Sequence, residues 1–400
     1  MPASRRWRPR RVAGLAALGA VAASALVGAT AAVTTVLVAR TVITPPRRRI
    51  EDTRVLAVEG DRVVLSRSAD ATVPGRYSFW FDHGRGHAKL GDIVAHDDRS
   101  VTRELLGVDF GDIARARRGR FAGWFWLSPR DLPYEHRQVE IATEVGPAPA
   151  WLVPGGDGSD WVIQVHGRAV RRSEALRAIP VFHDAGYTSL LISYRNDGDA
   201  PESGDGRYAL GDREWRDVEA AMRFALEHGA TRIVLMGWSM GGATVLQAVT
   251  RSTVADAVVG VILESPVVDW VTTLTYQSEE LGLPPAIRRG VIALLGGRRG
   301  HRLAGLAEPI DFARLDLVAN ADELHVPTLI LHSDDDGFVP VTASRALALA
   351  RPDTVTFEAF TVARHTKLWN YDADRWNAAI GSWLTRLRES SGRTTSPRRR

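Results

Sequence analysis

The chain of 400 residues contains no cysteine. That excludes disulfides, thiolate metal sites and a cysteine nucleophile, though it does not choose a compartment. Internal repeats and long low-complexity runs are also missing. Glycine (36) and proline (20) are too few for a disordered chain, and the 45% of hydrophobic residues can fill a sizeable core. This length accommodates two modest domains, or one large domain with appendages. A basic patch on the folded part is absent as well. The net charge of +4 and pI near 9.7 come from thirteen arginines in the two tails, nine within residues 1–49 and four at Arg393, Arg398, Arg399 and Arg400. Between Glu51 and Glu389, 38 basic residues face 47 acidic ones, a net of −9. Nucleic-acid binding needs positive charge clustered on the domain itself, so no nucleic-acid partner is expected.

Charge is missing altogether from Val12 to Ala39, a run rich in Ala, Val, Leu, Gly and Thr. It exceeds the roughly 20 residues that cross a hydrocarbon core. Arginines flank it on both sides, as headgroups favour. The reading is an uncleaved single-pass transmembrane helix within a segment 1–49. The alternative is a signal peptide cleaved near Ala29-Thr30-Ala31. Five arginines precede the run and four follow it within ten residues. The N-terminal amine then tips the positive-inside bias towards the bulk of the chain lying outside the cytoplasm. Pro45-Pro46 followed by Arg47, Arg48 and Arg49 reads as a stiff linker.

Residues 50–137 read as a β-rich extension. Arg54–Val58 and Arg62–Ser66 flank a Glu59-Gly60-Asp61 turn, and short candidates follow at Tyr77–Phe81, His87–Val94, Val101–Leu106 and Arg120–Leu127. Asp82, His83, His87, Asp92, His96, Asp97 and Asp98 invite a metal site. They lack ordered ligand spacing, and Gly84 and Gly86 break any helix aligning His83 with His87, so they read as solvated loop residues and no metal is expected. From 138 to 388 strand-like and helix-like segments alternate, the pattern of a mostly parallel sheet flanked by helices. Residues 270–320 interrupt the alternation and read as an inserted lid, and 389–400 form a basic tail.

The chemistry concentrates at Gly237-Trp238-Ser239-Met240-Gly241, directly after the apolar strand Ile233-Val234-Leu235-Met236 and directly before a helix. A nucleophile elbow has this layout, with Ser in a strained turn and glycines where side chains would collide. A serine hydroxyl needs a base, and the base needs an orienting carboxylate. Four histidines follow Ser239: His301, His325, His332 and His365. His332 ends a strand and His325 precedes it, so neither follows an acid-bearing loop. His365 sits after the final strand and before the closing helix, the place for the base.

These features resemble the α/β-hydrolase family over residues 138–388. Val165-His166-Gly167 after the third strand, the elbow at 237–242, the run His332-Ser333-Asp334-Asp335-Asp336-Gly337-Phe338-Val339-Pro340, and Arg364-His365-Thr366 carry the resemblance. It implies Asp336 as the acid, three residues before Val339-Pro340, with Glu264 as its rival. An oxyanion hole from the backbone N–H groups of Met240 and Arg168 is also implied, and no cofactor. Ser333 stands where the family commonly has Gly. The expected fold is thus an α/β-hydrolase with a lid, a β-rich extension and an N-terminal transmembrane helix. The expected activity is ester hydrolysis on a small-molecule or lipid-like acyl substrate, and Trp238 and the lid, including Val291–Leu295, read either as shaping the pocket or as packing within the cap. A serine peptidase or amidase, and a non-catalytic envelope protein, are the alternatives.

Overall fold

The computed structural model describes residues 28–46 and 48–394. A helix α1 spans 28–43. Six strands follow: β1 (Thr53–Glu59), β2 (Arg62–Ser66), β3 (Tyr77–Phe81), β4 (Gly86–His96), β5 (Ser100–Phe110) and β6 (Arg118–Ala122). They close into an antiparallel barrel in the order β1-β2-β5-β4-β3-β6. Alternation along the strands turns Val63, Leu65, Tyr77, Phe79, Phe81, Leu90 and Phe121 inward. Arg103 is fully buried there, donating to the carbonyls of Gly91, Ala71, Val73 and Gly75. Those four acceptors offset the loss of hydration that burial imposes on its charge.

The barrel ends at Ala122, and aromatic residues bridge to the catalytic domain, Phe125 and Trp126 packing on Trp369. An eight-stranded sheet is built from β7 (Arg137–Thr143), β8 (Gly146–Val153), β9 (Asp160–Val165), β10 (Thr188–Ile192), β11 (Arg232–Trp238), β12 (Val258–Glu264), β13 (Thr328–Ser333) and β14 (Val355–Phe360). Its order is β14-β13-β12-β11-β9-β10-β8-β7, and only the β7 and β8 pairings are antiparallel. Helices cover both faces: α2 (Ile179–Asp184), α3 (Trp215–Glu227), α4 (Met240–Arg251) and three more that follow the lid. The helix expected over 173–185 begins as a 3₁₀ segment, Arg172–Ala178, and only then becomes α2. The lid holds α5 (Trp270–Glu280), α6 (Pro285–Gly296) and α7 (His301–Ala304). After it come α8 (Thr342–Ala350), α9 (Leu368–Tyr371) and α10 (Ala373–Thr394).

Among the described residues no helix is long and apolar enough to cross a membrane. Positions 12–27 of the expected span lie outside the described residues, as do all five arginines before it, Arg47 and positions 395–400 of the basic tail. The described end of that span behaves differently from a lipid-facing helix. Ala39 and Ile43 are wholly buried in the main core, Val38 and Val42 pack against it, and Thr35 meets Gly290 of the lid. Arg40, expected at the headgroup boundary, donates instead to the Leu303 carbonyl at 3.0 Å. Burying a side chain such as Ile43 contributes about 1.5–3 kcal/mol, enough to hold the helix end on the protein. Val33 and Leu37 stay on the outer face, 59% and 58% exposed.

Candidate active site

Ser239 sits between β11 and α4 with φ 52° and ψ −118°, a strained backbone that the surrounding packing must hold. The glycines around it answer real contacts. A Cβ on Gly237 would lie 2.5 Å from the Gly241 carbonyl oxygen, and one on Gly241 would lie 2.2 Å from that of Val165. Any side chain at either position would push the elbow off the sheet.

His365 Nε2 lies 3.0 Å from Ser239 Oγ, and His365 Nδ1 lies 2.7 Å from Asp336 Oδ2. Asp336 is buried, and its second oxygen accepts from the N–H groups of Phe338 and Val339, each at 2.9 Å. Burial alone would raise its pKa. The charge of His365 and the hydrogen bonds from His332 and His365 outweigh that and hold the carboxyl below the usual carboxylate range. The loop bearing His365 is pinned on both sides. Arg364 and Thr366 both adopt positive φ, at 63° and 50°. Thr366 N–H donates to Ser265 Oγ, while Arg177 donates to the Thr366 carbonyl. Ser333, the departure from the usual Gly, accepts from Ala363 N–H and donates to Asp335. The barrel reaches this loop too: Asp70 pairs with Lys367 at 2.9 Å and lies 3.7 Å from Arg364.

Around the third strand, Gly167 is fixed at three points. Its N–H donates to the buried Glu174 carboxylate at 2.6 Å, and its carbonyl accepts from Tyr194 Oη at 2.8 Å with His166 Nδ1 equally close. The planar trans peptide then turns the Arg168 N–H away from those donors. Neither that N–H nor Met240's donates to any described residue. A Cβ on Gly167 would lie 3.3 Å from Ser239 Cβ, so this loop abuts the nucleophile. The Arg168 side chain is occupied elsewhere, donating to the carbonyls of Thr41 and Thr44 on α1 and its linker.

His332, Trp238 and His87 differ from expectation. His332, which the sequence places only at a strand end, lies buried behind the acid, its Nε2 3.1 Å from both Asp336 Oδ2 and the Val339 carbonyl. Two acceptors at one nitrogen assign that nitrogen the proton. The histidine-to-aspartate spacing of four residues along the strand end was the available signal. Glu264, the rival acid, is fully buried and accepts from the indole N–H groups of Trp238 and Trp376, so it is not aimed at His365. Trp238 is likewise a core residue tied to Glu264 and does not line the lid cavity. Of the polar groups in the barrel, His87 is buried rather than solvated: Ser78 Oγ lies 2.7 Å from its Nε2 and Asp109 2.6 Å from its Nδ1. This second Ser-His-Asp chain has no accessible nucleophile, because Ser78 is fully buried and donates to the Trp124 carbonyl. No group of three or more metal-binding side chains converges among the described residues.

Beside the site lies a cavity of about 280 Å³ lined by Arg168, Phe338, the lid residues Trp270, Leu274 and Val291, and Val38 and Val42 of α1. Phe338 also packs on the His365 ring, 5.2 Å between centroids. The cavity wall is apolar except for Thr41, Arg168, Gln277, Ser278 and Arg288.

A family model described as the prolyl oligopeptidase family matches residues 176–387. A second, described as a domain of unknown function (DUF8805), matches residues 54–122, the span of the barrel. No curated protein matches the sequence. Among solved structures, an esterase from Pyrococcus furiosus is 19% identical, with a TM-score of 0.50 over 65% of this chain and 94% of that one. In a second crystal form the TM-score is 0.51 over 95% of that chain. A thermophilic esterase from Thermogutta terrifontis is 20% identical over 63% of this chain and 99% of that one, with a TM-score of 0.44.

Proposed function

The chain belongs to the prolyl oligopeptidase family of serine hydrolases with the α/β-hydrolase fold, and from that premise we propose that it cleaves carboxylic esters through an acyl-enzyme on Ser239. The observation that carries this reading is the unbroken hydrogen-bond chain from Ser239 Oγ through His365 to the buried Asp336. His365 takes the Ser239 proton as the oxygen attacks the carbonyl. Asp336 keeps the proton on Nδ1, so Nε2 is free to act as base. The N–H groups of Met240 and Arg168 receive the developing oxyanion at the N-terminus of α4. His365 then protonates the leaving alkoxide, and water brought in by the same base releases the acid.

The apolar cavity between α1 and the lid supports an acyl group as its occupant. It shares Arg168 and Phe338 with the site, and no carboxylate lines it to hold a free peptide ammonium. Family membership favours the second reading, a peptidase or amidase. A panel of p-nitrophenyl esters from acetate to dodecanoate, set against aminoacyl and blocked peptidyl p-nitroanilides, separates the two. Higher kcat/KM on the anilides would replace the ester reading by the second. Labelling by a fluorophosphonate, lost in Ser239→Ala, reports the nucleophile independently of either substrate. Its persistence in that variant would remove Ser239 from the mechanism.

The same reading keeps an N-terminal anchor, with the catalytic domain outside the cytoplasm. Its support is the uncharged run from Val12 and the outward-facing Val33 and Leu37. Protease added to intact cells should then degrade the domain. Protection until lysis would reverse the topology, and a soluble form beginning near residue 32 would mean cleavage.

A further inference from the structure

A second cavity, of about 600 Å³, lies between the barrel and the catalytic domain, and its character is opposite to the first. Trp80 and Phe110 from the barrel and Trp124 beyond it line one part, and Arg49, Arg120 and residues 169–171 line another. Arg120 is half-buried, and among the described residues no hydrogen bond or ion pair engages its guanidinium. Two rings flank it, Trp80 at 5.7 Å and Trp124 at 6.0 Å. Burial, and then the nearby Arg49, push its pKa down to about 10, and the charges of Glu51 and Asp52 offset only part of that.

The carboxylates that could serve Arg120 are engaged elsewhere. Glu51 accepts from His83 N–H at 2.6 Å, and Asp52 from Thr53 Oγ at 3.0 Å. Asp109 holds His87 and Lys89, and Asp197 accepts from Ala169 N–H and Tyr208. Arg49 donates to the carbonyls of Arg168 and Ala169, and burial lowers its pKa although the charges of Glu174 and Asp197 oppose that shift. The wall carries four arginines, Arg48, Arg49, Arg120 and Arg171, against two carboxylates, Glu51 and Asp197, and an anionic ligand would offset the cost of desolvating the surplus positive charge.

We propose that this cavity binds an organic anion: a carboxylate or phosphate monoester carried on an aromatic or similarly flat apolar body. The planar fork of Arg120 matches either anionic group bidentately. Trp80, Trp124 and Phe110 supply the faces for the body. Because the 169–171 wall continues the loop that carries Arg168, the occupant sits beside the proposed oxyanion donor. The site is independent of the ester chemistry and stands or falls on its own measurement.

Calorimetric titration of the full chain tests it with phenyl phosphate, benzoate, inorganic phosphate and benzyl alcohol as probes. At least one of the two aromatic anions should bind at millimolar concentration or better, benzyl alcohol should not, and the tighter of the two names the preferred group. Arg120→Gln should weaken the aromatic anion at least tenfold, with a smaller loss in Arg120→Lys. Trp124→Ala should weaken phenyl phosphate while leaving inorganic phosphate unchanged. If no anion binds the parent, the proposal fails. It fails equally if a folded Arg120→Gln binds as the parent does. Should that variant not fold, undiminished binding in both Arg120→Lys and Trp124→Ala overturns it.

Discussion

Replacing Asp336 by Asn should remove nearly all activity while leaving the loop in place, and the geometry says why. In the parent, Asp336 Oδ1 accepts two backbone N–H bonds, from Phe338 and Val339 at 2.9 Å each. An asparagine must keep its carbonyl oxygen there, because its amide nitrogen cannot accept. That fixes the NH₂ group at the former Oδ2 position, 2.7 Å from His365 Nδ1 and 3.1 Å from His332 Nε2. His365 Nδ1 then becomes an acceptor and its proton moves to Nε2, which faces Ser239 Oγ at 3.0 Å and can no longer take a proton from it. In serine proteases the matching exchange costs about 10⁴ in kcat, equivalent to about 5.4 kcal/mol of barrier. The assay is kcat on an activated ester, alongside Asp334→Asn and Asp335→Asn. Asp334 is exposed and paired with Arg345, so its variant should remain near parental. Asp335 accepts from Ser333 and from Arg364 N–H, so its loss should act through the His365 loop and be intermediate. Stability adds a second readout. Because the folded Asp336 pKa is depressed, its carboxylate stabilises the parent above about pH 4 and that contribution fades as pH falls further. The Tm gap between parent and Asp336→Asn should therefore narrow in acid. A variant within tenfold of parental kcat, or an Asp334→Asn enzyme equally impaired, would refute the reasoning.

Tyr194→Phe deletes one of the bonds on the Gly167 carbonyl and should lower kcat about five-fold with KM little changed, as expected of a net loss near 1 kcal/mol; a rise in KM at constant kcat would show that Tyr194 serves binding instead. Burial raises the Asp197 carboxyl to about 7 despite its bonds from Tyr208 and Ala169. The unfolded chain ionises near 4, so the parent loses stability as pH climbs from there towards 7, by at most about 4 kcal/mol. Asp197→Asn should flatten that slope in Tm against pH, and an unchanged slope would contradict the assignment. Leu274→Trp, which fills the lid cavity, should cut kcat/KM on long-chain esters at least tenfold while sparing acetate; equal losses on both would detach this cavity from the acyl group.

The elbow was legible because its constraints are local. Gly237, Ser239 and Gly241 lie within five residues, and the forbidden contacts arise from the turn itself and the neighbouring strand. His365 could be picked out by order and loop placement. The identity of its partner, by contrast, required a family resemblance to choose among adjacent carboxylates. The role of His332 was not legible, because a position at the end of β13 says nothing about a side chain turned back under the following loop.

What the sequence determined by itself is the alternation of strands and helices from 138 onward, the strained serine, and the surplus of acid on the folded part. These follow from periodicity, turn chemistry and composition, which act over a few residues or over the whole chain at once. The tertiary structure alone decided that six short strands close into a barrel and that Arg103 fills it. It also decided that α1 docks on the lid and that Arg120 faces a cavity with no ion pair of its own among the described residues. Each depends on groups far apart in the chain, such as Thr53 beside Gly119 or Thr35 against Gly290. Whether a charge is paired or an apolar face is covered depends on which distant surfaces pack together, and no short window of sequence contains that information.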